Sequence, residues 1–334
     1  MPLVESNGLR IDCDVHGEPG APVVLLIMGL GMPAALWPDP LVQAFTDAGF
    51  RVVTFDNRDA GGSTRLEGVR GPNVLRSIAR ALLRRKVSAP YTLDDMAKDT
   101  VGLLDALGIE RVHVVGASMG GMIGQMVAVR YPQRVLSLTS IMSNSGNPER
   151  RMAFGSWKAL RAIMHRPPPP DDHEAVVRHL IRLLSAIGSP SFRDHIEEAR
   201  PLLERVARKG LYRAGTERQL LAVLATADRR PLLQQITAPT LVLHGADDPL
   251  VPVAAGRDTA AYIPGAKLEI IDGMGHDLPP ALMAPLAARI ADHCRAAQPA
   301  APAPAMPLPA AGPAVAAAPA ASAMDLAVPP ATSN

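Results

Sequence analysis

The sequence predicts an α/β fold: a doubly wound, mostly parallel sheet with a helical cap inserted between two core strands. Two observations support this prediction. Short apolar runs that end at turn residues alternate with helical patterns through most of the 334 residues, which is typical of parallel strands joined by right-handed crossovers. Residues 146–229 interrupt this alternation, because they contain several helical patterns and no clear strand.

Seven apolar runs are predicted to be strands. Residues 9–15 alternate apolar and polar residues in period two, as a half-buried strand does. The other runs are short and continuously apolar, as expected of strands that helices cover on both faces. They comprise residues 23–28, 51–55, 112–115, 135–142, 240–244 and 268–271.

Helices are predicted between these strands. One covers residues 41–48, and another begins at Thr92, where Asp95 completes a pattern that resembles a capping box. A third ends before Pro132, because proline cannot continue a helix. Within the interruption, helices are predicted over residues 157–164, 176–187 and 196–208.

These patterns divide the chain into three parts. Residues 1–145 and 230–296 form the predicted α/β core, and residues 146–229 form a helical cap over one edge of the sheet. Residues 297–334 contain nine prolines, many alanines and a single acidic residue. Such a segment buries too little apolar surface to offset its conformational entropy, so we expect a disordered tail.

A Gly-x-Ser-x-Gly motif centred on Ser118 is the most informative feature of the chain. The motif follows the apolar run at 112–115 and precedes a helical pattern, and strand, sharp turn and helix are the context of a nucleophile elbow. In such a turn the serine has a strained backbone conformation and its hydroxyl stands above the sheet, near the positive end of the helix dipole. Ser118 is therefore the candidate nucleophile.

A serine hydroxyl needs a base that an acid orients. His276 follows the last predicted strand in a glycine-rich loop, and the chain order Ser, Asp, His favours it as the base. The acid should follow the strand at 240–244, where Asp247 and Asp248 are both candidates. Asp248 is favoured, because Pro249 restricts it to an extended conformation, but both remain open.

The oxyanion of a tetrahedral intermediate needs two preorganised N–H donors. The backbone N–H of Met119, which follows the candidate nucleophile, is one of them. The turn after the strand at 23–28 has glycine on both sides of Leu30, so that its backbone can approach closely. The N–H of Leu30 is the second predicted donor.

Composition and charge argue against several other functions. The net charge is +2, and the short cluster Arg80, Arg84, Arg85 and Lys86 is interpreted as a solvated helix face, so no nucleic acid is expected as a partner. Two distant cysteines suggest neither a disulfide framework nor a metal site, and no cofactor is expected. The N-terminus lacks signal-peptide features and no apolar run is long enough for a membrane span, so a cytoplasmic location is expected.

Together these motifs resemble the α/β-hydrolase fold superfamily over residues 1 to about 296. They are similar to the branch with Met-Gly at the oxyanion turn, which includes aclacinomycin methylesterase-like enzymes. Asp59 departs from the glycine that is frequent in the superfamily, in a loop that is usually structural. The segments that carry the resemblance are Met-Gly-Leu-Gly at 28–31, Asp-Asn-Arg-Asp-Ala-Gly-Gly-Ser at 56–63, Gly-Ala-Ser-Met-Gly-Gly at 116–121, Gly-Ala-Asp-Asp-Pro at 245–249 and Gly-His at 275–276.

The resemblance implies a serine esterase that cleaves a small-molecule carboxylic ester through an acyl-enzyme. A cofactor-free perhydrolase or haloperoxidase with the same three residues is the alternative enzyme, and a non-catalytic ligand receptor is the alternative of another class. The substrate should have an apolar acyl or alcohol group, bound by Trp37, Phe154 and Trp157. Neither the natural substrate nor the oligomeric state follows from the sequence.

Overall fold

An eight-stranded sheet forms the centre of the protein. The structure is a computed structural model that describes residues 3–149, 155–192, 195–226 and 228–298. The strand order is β1-β2-β4-β3-β5-β6-β7-β8. The strands are β1 Leu3–Ser6, β2 Leu9–His16, β3 Val23–Ile27, β4 Arg51–Phe55, β5 Val112–Ala117, β6 Val135–Ile141, β7 Thr240–Gly245 and β8 Lys267–Ile271.

The pairing of these strands confirms the mostly parallel sheet. β1 pairs with β2, and β2 with β4, in antiparallel fashion, whereas the six strands from β4 to β8 run parallel. All seven predicted strands are present. The additional strand, β1, has four residues, of which only Ser6 is buried, so it lacks the apolar signal of the others.

Helices fill most of the connections between the strands. Thr92 and Asp95 form the predicted capping box at the start of the helix Leu93–Ala106. None of the helices in the part of the chain described here has the length and apolarity that crossing a bilayer requires. The α-helices of the described residues are α1 Asp39–Asp47, α2 Val74–Leu82, α3 Leu93–Ala106, α4 Met119–Arg130, α5 Trp157–Ile163, α6 His173–Ile187, α7 His195–Glu198, α8 Arg200–Lys209, α9 Arg213–Ala225, α10 Arg230–Leu233, α11 Val253–Tyr262 and α12 Pro280–Ala296.

Both faces of the sheet are covered, as a doubly wound fold requires. On one face, α3 and α4 contribute buried side chains such as Leu104 and Met126 to a large apolar cluster. On the other face, α1 and α12 pack through residues such as Phe45 and Ile290. Because each central strand contributes apolar residues to both clusters, the continuous apolar runs of the sequence are explained.

Helices joined by loops form the described part of the segment between β6 and β7. The helix predicted over residues 196–208 is two helices, α7 and α8, and Pro201 stands in the first turn of the second. A proline there has no N–H to donate to the preceding turn, so a new helix begins. α6 and α8 bury their own apolar cluster, which Met32 and Leu36 from the turn after β3 join. The predicted tail lies outside the described residues, apart from residues 297 and 298.

Candidate active site

Ser118 stands in the sharp turn between β5 and α4. Its φ of 54° and ψ of −119° are those of a strained turn, which non-glycine residues rarely adopt. The glycines on either side are required by close packing. A Cβ on Gly116 would lie 2.2 Å from the carbonyl oxygen of Gly120, and a Cβ on Gly120 would lie 1.9 Å from that of Ile27. The turn therefore tolerates side chains poorly at these two positions.

A chain of hydrogen bonds connects Ser118, His276 and Asp248. Ser118 Oγ lies 3.0 Å from His276 Nε2, and His276 Nδ1 lies 2.7 Å from Asp248 Oδ2. The three residues come from the ends of β5 and β7 and from the loop after β8. Since parallel strands end at the same edge of a sheet, residues 158 positions apart in the chain meet here.

The hydrogen-bond partners determine which nitrogen of His276 carries the proton. A carboxylate can only accept, so Nδ1 donates to Asp248 and Nε2 of the neutral ring remains as an acceptor. The hydroxyl of Ser118 can donate to that nitrogen. The ring is thereby oriented to remove a proton from the serine.

The loop after β7 distinguishes the two candidate acids. Asp248 has a fully buried side chain, and its Oδ1 accepts the N–H groups of Leu250 and Val251, each at 2.8 Å. This turn around Pro249 leaves Oδ2 for the histidine. Asp247 instead accepts the N–H of Gly273 at 3.1 Å, on the exposed side of the loop.

His244 is a further contributor to this loop. Its Nε2 lies 2.8 Å from the carbonyl oxygen of Val251, and because a carbonyl can only accept, this nitrogen carries the proton. The same atom is 3.6 Å from Asp248 Oδ2. Burial lowers the pKa of His244, so its ring is neutral. His244 therefore helps to hold the loop that carries Asp248. Its position at the end of a strand does not by itself indicate this role.

The turn after β3 brings the second predicted oxyanion donor close to the serine. A Cβ on Gly29 would lie 3.3 Å from the Cβ of Ser118, and Leu30 lines the cavity in front of it. Met119 is the first residue of α4, so its N–H has no partner inside that helix. The residues that carry the two predicted donors thus both belong to segments next to the serine.

A buried glutamine from the segment between β6 and β7 holds this turn. Gln219 on α9 accepts the N–H of Gly31 at 2.7 Å and donates to the carbonyl oxygen of Arg58 at 2.7 Å. On the other side, Asn57 donates to the carbonyl oxygen of Met28 at 2.9 Å. Sequence reasoning missed Gln219, since a single polar residue in a helix gives no local signal of a contact 188 positions away.

The same segment also holds the loop that carries His276. The N–H of His276 donates to the carbonyl oxygen of Ile187 at 2.8 Å, and the N–H of Gly275 donates to Ser189 Oγ at 2.8 Å. Asp277 accepts the N–H of Ser189 at 2.9 Å. Two backbone N–H groups and the carboxylate of Asp277 therefore bond the loop that carries the imidazole to the residues at the end of α6.

Asp59, which departs from the superfamily pattern, anchors α9 to the core. Its carboxylate accepts hydrogen bonds from Arg218 at 2.6 and 2.8 Å and from the hydroxyl of Tyr91 at 2.9 Å. Burial by itself would raise the pKa of Asp59, but the bonds from Arg218 and from the N–H of Leu66 lower it overall. The carboxylate is thus charged and fixes the helix that carries Gln219.

A cavity of about 610 Å³ opens in front of Ser118 and His276. Its walls are largely apolar side chains, among them Leu36, Leu180, Leu184, Leu203 and Met283. The described residues contain no group of three His, Cys, Asp or Glu side chains arranged to hold a metal ion.

Two of the three aromatic residues predicted for this pocket, Trp37 and Trp157, are not among its described lining residues. Trp37 is buried in the core cluster beneath α1 and α12, and Trp157 on α5 is 75% exposed to solvent. Phe154 lies outside the described residues. The described lining is mainly aliphatic and comes from α6, α8 and the turn after β3, among other segments.

Comparison with known proteins identifies relatives along most of the chain. The chain is 31% identical over 313 residues to rhodomycin D methylesterase DnrP of Streptomyces peucetius, covering 88% of this chain and 98% of that protein. It is 30% identical to rhodomycin D methylesterase DauP of Streptomyces sp. strain C5, covering 84% of this chain and 93% of that protein.

The fold is also that of solved hydrolase structures. The meta-cleavage product hydrolase of Pseudomonas fluorescens IP01 superposes with a TM-score of 0.69 at 20% identity, covering 89% of this chain and 98% of that chain. A model of the α/β hydrolase fold family matches residues 22–279. This chain is therefore a member of the α/β hydrolase fold family.

Proposed function

We propose that this protein is a serine esterase that cleaves carboxylic esters through an acyl-enzyme. The observation that carries the proposal is the chain of hydrogen bonds from Ser118 through His276 to Asp248, at 3.0 and 2.7 Å, beside an apolar cavity. The names of the two relatives that are 30% and 31% identical support ester hydrolysis.

The proposed reaction begins with attack of Ser118 Oγ on the acyl carbon. His276 Nε2 accepts the serine proton as the new C–O bond forms and returns it to the leaving alcohol. Asp248 holds the ring and stabilises the imidazolium that forms. The N–H groups of Leu30 and Met119 stabilise the oxyanion, and water then releases the acid by the same steps in reverse order.

For the substrate we propose the methyl ester of a bulky, apolar acid. Both relatives are named methylesterases. A methanol leaving group has one carbon, so most of the 610 Å³ cavity would be available to the acyl part. Cavities of this size accommodate drug-sized molecules, and the aliphatic walls favour an acid with a large apolar body.

The helices between β6 and β7 are proposed to act as a cap that selects the acyl group. Leu184 on α6 lines the cavity, whereas Trp157 on α5 faces solvent. We expect Leu184→Ala to change the ratio of kcat/KM between long and short acyl esters by about tenfold, because the lost apolar contact of a half-buried leucine is worth about 1.4 kcal/mol. Trp157→Ala is the matched control and should leave that ratio unchanged.

The central test compares two serines that follow neighbouring strands. Ser118→Ala should lower turnover of an aryl ester by about 10⁴-fold with the fold intact. Ser143→Ala, which removes a buried hydroxyl after β6, should retain activity and covalent labelling by a fluorophosphonate. Turnover of Ser118→Ala within tenfold of the wild type would place the nucleophile elsewhere.

Two further assays separate the alternatives. A perhydrolase would support bromination with a carboxylic acid and peroxide, so abundant ester hydrolysis without bromination would exclude that activity. A ligand receptor would require neither an activated serine nor turnover. Absence of both fluorophosphonate labelling and hydrolysis in the folded protein would favour the receptor.

A further inference from the structure

Helix α2 exposes an apolar stripe instead of burying it. Leu75, Leu82 and Leu83 are 69%, 52% and 66% exposed, and Ala79 between them is also exposed. Positions 75, 79 and 82 have the i, i+4, i+7 spacing that places side chains on one side of a helix. An amphipathic helix of a soluble domain normally turns such a stripe toward the core, so these leucines require another explanation.

The opposite side of α2 accounts for its position on the protein. Ser77 is buried, Val74 and Ile78 are partly buried, and the helix packs on α9. Asn73 caps its first turn by accepting the N–H of Arg76 at 3.0 Å. One side of α2 therefore packs on α9, while the leucines on its other side remain exposed.

The exposed leucines are surrounded by positive charge. Between Gly68 and Thr92 there are six cationic residues and no acidic residue. No ion pair with these six occurs among the described residues, although the guanidinium of Arg80 donates to the carbonyl oxygen of Lys86. The six residues are Arg70, Arg76, Arg80, Arg84, Arg85 and Lys86.

We propose that the α2 surface, formed by residues 70–86, docks on an anionic membrane. Exposed leucines flanked by arginines are the features by which interfacial helices insert apolar side chains among lipid headgroups and attract negative charge. Val74 of the same helix lines the cavity in front of Ser118. A chain docked through α2 therefore holds its cavity near the lipid surface, from which apolar molecules can enter.

Other occupants fit this surface less well. Nucleic acid would match the charge, but the surface lacks the interleaved aromatic side chains of such sites and its leucines would gain nothing. Residues 299–334 of this chain contain one acidic residue, Asp325, and cannot balance six cations. An acidic protein segment is the remaining competitor, and the test includes it.

The test is cosedimentation of the full chain with vesicles. A Ser118→Ala background keeps the lipid esters intact and makes the result independent of the proposed esterase activity. We expect binding to phosphatidylcholine vesicles with about 30% phosphatidylglycerol at about 50 mM NaCl, loss of binding at about 500 mM, and none to phosphatidylcholine alone. Binding to polyglutamate but not to these vesicles would overturn the proposal.

Two sets of variants locate the binding surface. Replacing Arg76, Arg84 and Arg85 by Gln should weaken binding about 100-fold, at roughly fivefold per charge. Leu75→Ser with Leu82→Ser should weaken it by at least about tenfold without changing the charge. All five side chains are exposed, and equal melting temperatures would verify the fold.

The matched control removes the same charge elsewhere. Arg111, Arg257 and Lys267 are exposed residues outside α2, and their replacement by Gln gives the same net charge as the arginine variant. We expect this control to bind within about twofold of the parent, since it keeps the α2 surface. Equal weakening by both triple variants would mean that net charge, not α2, drives binding, and would refute the proposal.

Discussion

Replacing Gln219 by Met tests whether α9 positions the turn that carries Leu30, the proposed oxyanion donor. Gln219 is fully buried, accepts the N–H of Gly31 and donates to the carbonyl oxygen of Arg58. Methionine has a similar length and volume but makes neither hydrogen bond. The substitution therefore removes two bonds between α9 and this part of the core without opening a large cavity, and it keeps the ion pair of Arg218 with Asp59.

The expected effects follow from these two contacts. The substitution leaves two buried groups unpaired, the N–H of Gly31 and the carbonyl oxygen of Arg58. At about 1–3 kcal/mol for each group, the free energy of unfolding should fall by about 2–6 kcal/mol. Loss of one oxyanion donor lowers kcat by about 10² to 10³. The N–H of Leu30 is kept but held less rigidly, so we expect kcat to fall by about 10- to 100-fold.

The assay measures kcat and KM separately on a small acetate ester. Gln219 does not line the cavity, so KM should change by less than about threefold. Leu221→Ala on the same helix is the control, because Leu221 is buried and away from the turn, and its truncation costs a similar 2–5 kcal/mol. It should lower the melting temperature while kcat stays within about threefold of wild type.

A kcat within about threefold of wild type for Gln219→Met would refute this reasoning. Such a result would mean that the contact of Asn57 with Met28 alone holds the turn. Equal losses of kcat in the Gln219 and Leu221 variants would also refute it, because general loosening of α9 would then explain both.

Three further predictions concern the acid, the sheet and the thiols. Asp248→Asn should lower kcat by about 10⁴-fold, because it disturbs the tautomer of the imidazole. Asp247→Asn should lower kcat by less than about tenfold. The reverse ranking would identify Asp247 as the acid. Burial lowers the pKa of His113 to about 4, so stability is lost as pH falls below the unfolded value of about 6.5. Between pH 7.5 and pH 5, wild type should lose about 2 kcal/mol more than His113→Leu in urea unfolding, and parallel losses would contradict this. Burial also raises the pKa of Cys13 and raises that of Cys294 to about 12. Neither thiol should therefore react with a disulfide reagent at about pH 8 until guanidinium unfolds the chain. Stoichiometric reaction of the native protein within minutes would contradict this, because it would show that these sites open.

The sequence alone indicates the sheet and the order of its functional loops. Continuous apolar runs require burial on both faces, and parallel strands end at one edge, so residues that follow them must gather there. This is why Ser118 and His276 can be named from local patterns although 158 positions separate them. The strained turn at Ser118 is equally local, since the glycines around it are visible in the sequence.

The choice between the two acids depends on a finer local detail. Asp247 and Asp248 differ by one position, and both precede Pro249 closely. Only the closed loop, in which Leu250 and Val251 bond one carboxylate oxygen of Asp248, directs its other oxygen to the histidine. The sequence can rank these two residues, but it does not indicate the backbone hydrogen bonds that orient the carboxylate of Asp248.

Contacts between distant segments were decided by the tertiary structure. Trp37 is a large apolar residue that the sequence predicts to line the pocket. Its ring lies instead in the core, because α1 and α12 pack over it. Gln219 bonds the turn after β3, and Leu75 on α2 stays exposed despite a helical apolar pattern. The periodicity of apolar residues indicates which face of a helix or strand is apolar. It does not indicate which other element covers that face, because the packing of the elements depends on the free energy of the whole chain.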